Sequence, residues 1–349
     1  MTDGDTQSAG RATLEDVAHA AGVSLATVDR VVNRREGVRA KTIARVEAAV
    51  AKLGYRVDVA AARLARGQAF RFAFILPIGS NSFMMNLTEQ IRRAADWLAG
   101  QRGFIDIIHV DVFDPGALAG ALERLSPAYA GVATIALDHP RVRAAIDDLA
   151  DRNVAVVTLV SDAPSSRRLH YVGIDNPAAG RTAATLMGRF LSGRRGAVAV
   201  IAGSLALRDH AERQFGFHQI LSSEYPHLVA LPVLEGRDDS ERTRVLAAEL
   251  LAQHPDLLGI YSCGAGNRGI AEALEATGRP REVVWIAHEL TQHTRRFLVR
   301  GTIDAIISQD PGHEARSAAR VLLAHCLAEP ISPDQERIRI DIFLRDNLP

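Results

Sequence analysis

Apolar residues in the first part of the chain recur at helical spacing over three short segments. The spacing predicts helices over residues 14–21, 25–32 and about 40–53. Two helices joined by a short turn that contains glycine are typical of a helix-turn-helix. The segment is therefore predicted to be a small all-α DNA-binding domain, and another kind of small helical domain is the alternative.

Residues at the ends of these segments support the same boundaries. Thr13 is followed three residues later by Asp16, the pattern in which two side chains cap a helix amino terminus together. Gly22 suits the positive φ of a tight turn, and Ser24 suits the N-cap position of the second helix. The next stretch, 58–65, is rich in alanine and has a helical pattern, but it is too short to be stable alone.

From Phe70 onward, apolar runs alternate with amphipathic segments. Near-continuous apolar strands between helices predict parallel sheets that are covered on both faces. Nine strands over this length favour two doubly wound units over one. The strand-like runs are 71–76, 105–110, 131–136, 154–160, 197–202, 229–234, 258–262, 283–287 and 303–308.

Composition excludes several classes of protein. The chain has 349 residues, 47% of them hydrophobic and 23% charged, which argues against a disordered, collagen-like or small disulfide-stapled protein. A membrane helix needs about 18 uninterrupted apolar residues, and no stretch of the sequence approaches that length. The polar amino-terminal residues lack the pattern of a signal peptide. Two cysteines make no disulfide framework, so a reducing cytoplasm is expected.

The net charge of zero hides an uneven distribution. Residues 11–70 hold eleven Lys and Arg against six Asp and Glu, whereas the rest of the chain is slightly acidic. A small basic module on an acidic body predicts a polyanion as the partner of the first segment.

The amino-terminal motifs resemble those of the lactose/galactose repressor (LacI/GalR) family. The matching residues are Thr13-Leu14-Glu15-Asp16-Val17-Ala18, Ala21-Gly22-Val23-Ser24, Thr27-Val28-Asp29-Arg30-Val31-Val32-Asn33, Val38-Arg39-Ala40-Lys41-Thr42 and Leu53-Gly54-Tyr55. The resemblance implies a dimeric repressor that binds double-stranded operator DNA and responds to a small molecule.

Within this resemblance, the second helix reads the major groove. Leu25, Ala26 and Arg30 match base-contacting positions, and Arg30 can pair with guanine through two hydrogen bonds. Asp29 departs from the usual serine, and it either pairs with a nearby arginine or discriminates between operators. The remaining DNA-binding candidates are Thr13, Ser24, Thr27, Asn33, Arg34 and Lys41.

The segment 58–69 matches the hinge helix of the family. Leu64 stands at the position that wedges open a central base step, and Ala61 lies one turn earlier on the same face. Val57 replaces the usual proline near the start of this hinge.

The body resembles the type I periplasmic-binding-protein fold, in its ribose-binding-like branch. The residues that carry this resemblance include Asn81-Ser82-Phe83, Gly173-Ile174-Asp175-Asn176 and Gln309-Asp310-Pro311. The implied domains are 12–57 (helix-turn-helix), 58–69 (hinge and linker) and 70–346 (effector-binding), the last split into one subdomain of about 70–162 and 291–309 and another of about 163–290 and 310–346.

In this fold the ligand lies between two subdomains, at the carboxyl ends of parallel strands. The resemblance places Asn81, Phe83, Arg213, Glu289 and Gln309 at ligand-contacting positions. The strand ends add Asp138, Ser161, Asp162, Gly264 and His288. Phe83 can stack on a sugar face, so a sugar or polyol is expected, and Arg208, His210 and Arg213 leave an acidic or phosphorylated ligand open.

One motif offers a competing function. Gly264-Ala265-Gly266-Asn267-Arg268-Gly269 is a full G-x-G-x-x-G between a predicted strand and a predicted helix, and Glu289 follows 20 residues after Gly269. The alternative is therefore a regulator that senses a nicotinamide dinucleotide, or an oxidoreductase. Cys263 with His288 could form a nucleophile and base. No H-x-x-x-H or C-x-x-C pattern indicates a metal, and neither a cofactor nor an enzymatic activity is expected.

Overall fold

The computed structural model describes residues 12–32, 35–55, 69–79, 81–278 and 281–349. The chain divides into two compact units at Gln68 and Ala69. The expectations for Asn33, Arg34, Ala61, Leu64 and most of the hinge segment fall outside the described residues.

The amino-terminal unit contains three helices at the positions that the apolar spacing predicts. They are α1 (Leu14–Ala21), α2 (Leu25–Val32) and α3 (Ala40–Leu53). Thr13 and Asp16 form the capping box, and Gly22 takes a left-handed φ of 61°. The Arg45 side chain from α3 donates to the carbonyl oxygens of Ala21 and Gly22, which ties the turn to the third helix.

The first half of the larger unit surrounds a five-stranded parallel sheet in the order β2-β1-β3-β4-β5. Its elements in chain order are β1 (Phe70–Pro77), α4 (Ser82–Ala99), β2 (Gly103–Val110), α5 (Pro115–Glu123), β3 (Gly131–Thr134), α6 (Pro140–Asp151), β4 (Ala155–Leu159) and β5 (His170–Val172).

The second half surrounds a sheet in the order β12-β11-β10-β9-β6-β7, in which β8 also pairs with β6 and only β12 is antiparallel. Its elements are α7 (Asn176–Phe190), β6 (Gly196–Ala202), α8 (Arg208–Glu224), β7 (Leu228–Ala230), β8 (Leu234–Glu235), α9 (Ser240–Gln253), β9 (Gly259–Ser262), α10 (Asn267–Ala276), β10 (Val284–His288), α11 (Gln292–Arg300) and β11 (Ala305–Ser308). The chain ends with α12 (Pro311–Leu327), α13 (Pro333–Glu336), β12 (Asp341–Phe343) and a 3₁₀ turn (Arg345–Asn347).

The fold class is confirmed, but the division of the larger unit into subdomains differs from the expectation. Strand β11, within the segment 291–309, pairs with β10 in the second sheet, because α11 returns the chain to the neighbouring position in a β-α-β unit. Helix α12 then crosses back and packs along α4 beside β4. Residues 291–309 and helix α12 therefore lie in the opposite halves from those expected, whereas β12 stays in the second half as expected. The first half extends through β5 rather than ending at residue 162.

Candidate functional site

A cavity of about 80 Å³ lies where the carboxyl ends of strands from both sheets meet. Its walls come from the loop after β1, the loop after β4 and the strand ends of the second sheet. The polar side chains that line it are those of Asn81, Ser82, Asp209, His210, Arg213, Asp238, Ser240, Asn267, Arg268, His288, Glu289, Thr291, His293 and Gln309.

Arg213 is the central cation of this cavity. Helix α8 holds it fully buried, where Nε donates to Oδ1 of Asn176 at 2.8 Å and Nη1 donates to the carbonyl oxygen of Cys263 at 3.0 Å. Nη2 lies 3.9 Å from Oδ2 of Asp209 and 3.9 Å from Oε1 of Glu289. Two hydrogen bonds thus fix the guanidinium plane and leave one nitrogen directed between two carboxylates.

Glu289 and Gln309 join the ends of two neighbouring strands. Gln309 donates from Nε2 to Oε1 of Glu289 at 2.8 Å and from its backbone N to Oε2 at 3.4 Å. Burial raises the pKa of Glu289, while Arg213 and the Gln309 hydrogen bonds oppose that shift. Glu289 also has a φ of 68°, so the backbone turns sharply directly after β10.

His288 ends the same strand and is a neutral imidazole at physiological pH. Burial lowers its pKa well below the usual value, and the charges of Arg213 and His210 lower it further. Nε2 lies 2.8 Å from the hydroxyl oxygen of Tyr261, which is buried in the second half. The ring is therefore a hydrogen-bonding group and not a fixed charge.

Four buried polar atoms of the lining residues have no hydrogen-bond partner within the described part of the chain. They are Oδ1 of Asp209, Nη2 of Arg213, Nδ1 of His288 and Oε1 of Gln309. An unsatisfied buried polar group costs about 1–3 kcal/mol, so a ligand that supplies both donors and acceptors would be favoured here. Hydroxyl groups do both.

The two halves also touch directly at the cavity. Asn81 caps α4 by accepting from the backbone N of Phe83 at 3.0 Å and of Met84 at 3.3 Å. Its Nδ2 donates to Oδ2 of Asp238 at 3.1 Å, and Oδ1 of Asp238 accepts from the backbone N of Ala265 at 2.8 Å. A carboxylate from the second half thus binds both the start of α4 and the glycine-rich loop.

The glycine-rich loop has a packing explanation. A Cβ atom on Gly269 would lie 2.0 Å from the carbonyl oxygen of Ser240, and one on Gly266 would lie 2.4 Å from Oγ1 of Thr243. Both glycines therefore allow α10 to approach α9 closely. Because Asp238 already accepts from an amide of this loop, a pyrophosphate would meet a carboxylate there. These contacts argue against the dinucleotide alternative.

The alternative of a cysteine nucleophile is also disfavoured. Cys263 is fully buried, and burial raises the pKa of its thiol to about 12. A thiol that stays protonated at neutral pH is a poor nucleophile.

Seven of the ten residues expected to contact the effector line the cavity, namely Asn81, Phe83, Arg213, Gly264, His288, Glu289 and Gln309. The lining does not include Asp138, Ser161 or Asp162, and among the described residues each has another environment. Asp138 pairs with Arg143 at 2.6 Å and with Arg208 at 3.0 Å.

Asp162 accepts from Thr158 at 2.6 Å and from Nη2 of Arg168 at 2.7 Å. Ser161 is completely buried. Val160 lines the cavity in their place, with a φ of 65° that turns the chain out of the sheet.

The ten expected residues leave out several polar lining residues, among them Asp209, Asp238 and Asn267. Asp238 follows β8, a strand of two residues whose short apolar signal is easily overlooked. Asp209 stands in a helix next to His210, and Asn267 lies inside the glycine-rich motif.

In the amino-terminal unit, α2 presents an outward face that carries the DNA-binding candidates. Ser24, Leu25, Ala26 and Arg30 are exposed, and Leu25 is 45% exposed although it is apolar. Thr27 is half-buried, and its backbone N donates to Oγ of Ser24 at 3.3 Å.

Three further candidates flank this face. Thr13 and Lys41 are exposed. Asp29 pairs with Arg35 at 3.3 Å, which corresponds to the first of the two roles considered for it.

Two family models match the chain. A model described as a periplasmic binding protein domain matches residues 72–330, and one described as bacterial regulatory proteins of the lacI family matches residues 13–58. In the described residues, no helix is both long and apolar enough to cross a membrane.

Curated relatives match over the amino-terminal part. The sucrose operon repressor of Lactococcus lactis subsp. lactis is 42% identical over 82 residues, or 23% of this chain and 26% of the relative. The lactose operon repressor of Escherichia coli (strain K12) is 41% identical over 91 residues, or 26% of this chain and 24% of the relative. These matches span about a quarter of the length of each relative.

Solved structures match the larger unit. A glucose-galactose binding protein from Geobacillus stearothermophilus has a TM-score of 0.72 at 23% identity, covering 81% of this chain and 99% of that one. A sugar-binding protein of a sugar ABC transporter from Bacillus halodurans has a TM-score of 0.67 at 26% identity, covering 79% of this chain and 98% of that one.

Proposed function

The chain belongs to the periplasmic-binding-protein domain family and carries a lacI-family regulatory domain ahead of that domain. From this family membership we propose that the protein is a transcriptional repressor. It binds operator DNA through the amino-terminal unit and a small-molecule effector in the cavity of the larger unit. The observation that best supports this proposal is that one chain contains both a lacI-family DNA-binding module and a cavity with four buried polar atoms that lack a hydrogen-bond partner. The chain acts by binding and is not an enzyme.

Helix α2 is the recognition helix in this proposal. Arg30 pairs with guanine in the major groove, a contact worth about 1–3 kcal/mol of discrimination. Leu25 and Ala26 provide apolar contact to a thymine methyl group. The pairing of Asp29 with Arg35 offsets the negative charge that Asp29 brings to this face.

Other candidates act on the DNA backbone and on the centre of the operator. Ser24, Thr27, Asn33, Arg34 and Lys41 contact phosphates and fix the register, as does Thr13 at the start of α1. Leu64, supported by Ala61, wedges into a central minor-groove step. Two copies of the chain bind a near-palindromic site, because the two-fold symmetry of a dimer matches that of such DNA. A regulator of chromosomal genes works in the cytoplasm.

The effector is a neutral sugar or polyol. Three carboxylates line the cavity, those of Asp209, Asp238 and Glu289, against one buried guanidinium, that of Arg213, so a further anion such as a sugar phosphate is disfavoured. The neutral His288 adds no positive charge to balance it. The names of the relatives support the same class, since they include repressors of sucrose, lactose and ribose operons.

Effector binding changes operator affinity through the two halves of the larger unit. The cavity lies between both sheets, so a ligand that bonds to Asn81 on one side and Arg213 on the other alters how the halves close. A coupling free energy of about 1–3 kcal/mol changes DNA affinity by about 5- to 150-fold.

Thermal unfolding of the full chain against sugars, polyols, sugar phosphates and NAD(P)(H) tests this effector class. A ligand at 100 times its Kd adds about 2.7 kcal/mol, which shifts the Tm by several degrees. We expect shifts with a neutral sugar or polyol. Shifts with sugar phosphates alone, or with nicotinamide dinucleotides alone, would contradict the proposal.

A further inference from the structure

A second recess adjoins the polar cavity and has a different character. It has a volume of about 150 Å³ and lies at the carboxyl ends of β1, β2 and β3. The apolar side chains of Ile78, Met84, Val112, Phe113, Ile135 and Leu207 line it. Val112 and Ile135 are buried, whereas Ile78 is 57% exposed, so the apolar surface is only partly covered by the protein.

The recess shares a wall with the polar cavity. Asn81, Met84 and Asp238 line both spaces, and the hydrogen bond from Asn81 to Asp238 therefore lies on their common wall. On the far side, the guanidinium of Arg237 stacks over the ring of Phe113 at 5.4 Å from its centroid. Arg237 comes from the second half and Phe113 from the first, so both halves form the recess, as they form the cavity.

The two spaces differ in what they can bind. The polar cavity presents carboxylates, an amide and a guanidinium, whereas the recess presents six large apolar side chains, with Arg237, Asp238 and Asp239 also lining it. An apolar cavity of about 150 Å³ in another protein is large enough to bind benzene. The volume and lining of the recess thus suit a group of the size of a phenyl ring.

We propose that the effector is a two-part molecule, a sugar or polyol that carries an apolar substituent such as an aromatic aglycone. The hydroxyl-bearing part occupies the polar cavity, and the apolar part crosses the wall at Asn81 and Asp238 into the recess. This inference rests on the proposed function, because the same ligand fills both spaces.

The test compares methyl and phenyl glycosides of glucose, galactose and xylose, both anomers of each, by calorimetric titration of the full chain. Burial of a phenyl group predicts that a phenyl glycoside binds about tenfold more tightly than the methyl glycoside of the same sugar. Ile78→Asn removes apolar surface at an exposed position, and we expect it to abolish that difference and leave methyl glycoside affinity unchanged. Val299→Asn, at a site of 54% exposure outside the recess lining, is the matched control and keeps the difference.

The outcomes separate the two proposals. Equal affinities for methyl and phenyl glycosides of a sugar that binds would overturn the recess inference and leave the sugar effector in place. A phenyl preference that survives Ile78→Asn would also overturn it, because the aromatic group would then lie elsewhere. If no glycoside of either kind binds and no sugar shifts the Tm, the sugar effector itself is wrong.

Discussion

The amide nitrogen of Asn81 donates a hydrogen bond of 3.1 Å to a carboxylate oxygen of Asp238, and the two residues belong to opposite halves of the larger unit. The same Asn81 caps α4 through its side-chain oxygen. One residue therefore both starts a helix and joins the two halves at the proposed effector cavity.

Asn81→Asp separates these two roles. Aspartate caps a helix as well as asparagine does, but it places a carboxylate opposite Asp238 instead of a donor. We expect the affinity for the sugar that shifts the Tm to fall by about tenfold or more. The reason is that repulsion between the two carboxylates would cost about 1.4 kcal/mol or more of binding free energy. Titration calorimetry measures this loss.

Asn81→Ser is the matched control, because serine also caps but brings no charge. Its affinity should fall less than that of Asn81→Asp. Equal losses in the two variants would mean that the negative charge added opposite Asp238 has no effect on ligand affinity.

Asp209→Asn tests the unpartnered carboxylate oxygen in the cavity. The change keeps the shape and removes a charged acceptor, so a hydrogen bond to the ligand worth about 1.5–3 kcal/mol is lost. We expect ligand affinity to fall by about 10- to 100-fold. Asp162→Asn, at a position outside the cavity lining, should change affinity by less than about twofold. If the two variants lost affinity equally, Asp209 would have no particular role.

The positions of residues along the strands predict part of the cavity lining. Residues at or just after strand ends, such as Asn81, His288 and Gln309, are predictable because parallel strands end at one edge of the sheet. The same rule selected Asp138 and Asp162, whose carboxylates are instead bound by Arg208 and Arg168, and sequence spacing does not reveal such ion pairs.

The fold was predicted better than its connections. Helices α1, α2 and α3 have the bounds that apolar spacing and capping residues predicted, because these signals are local. The sheet that receives β11 was predicted wrongly, because an apolar strand of four residues fits either sheet and the family resemblance assigned it to the first half. That choice depends on long-range packing.

Glu314 predicts a pH dependence of stability. It lies on α12 with its side chain fully buried, and burial, with Glu289 adding to the effect, raises its pKa well above the usual value of 4.5. The folded chain thus keeps a proton that the unfolded chain releases, so this group lowers stability as the pH rises above about 4.5.

Glu314→Gln removes that penalty. Between pH 5 and pH 8, we expect the free energy of unfolding of the variant to rise relative to that of the original chain. The difference should grow by up to about 1.4 kcal/mol per pH unit. Thermal unfolding across this range, with the exposed Glu123→Gln as control, measures the difference. A constant difference between Glu314→Gln and the original chain at all pH values would show that Glu314 is ionised in the folded state.

Arg30→Ala and Lys41→Ala distinguish base readout from phosphate contact. Loss of Arg30 should cost about 1–3 kcal/mol and relax base preference at one symmetric position of the operator. Loss of Lys41 should weaken binding to all sequences alike and reduce the salt dependence. Binding-site selection from a random duplex library, followed by anisotropy titrations, measures both. An unchanged sequence preference for Arg30→Ala would exclude it from base recognition.

The most direct test of the account is the affinity of the full chain for its selected operator with and without a saturating concentration of the sugar or polyol that shifts the Tm. Fluorescence anisotropy at fixed salt measures both values. If the cavity controls the DNA-binding unit, the ligand changes the Kd for DNA by about 5- to 150-fold. An identical Kd in both conditions would contradict it, because the cavity would then bind a ligand without controlling the DNA-binding unit.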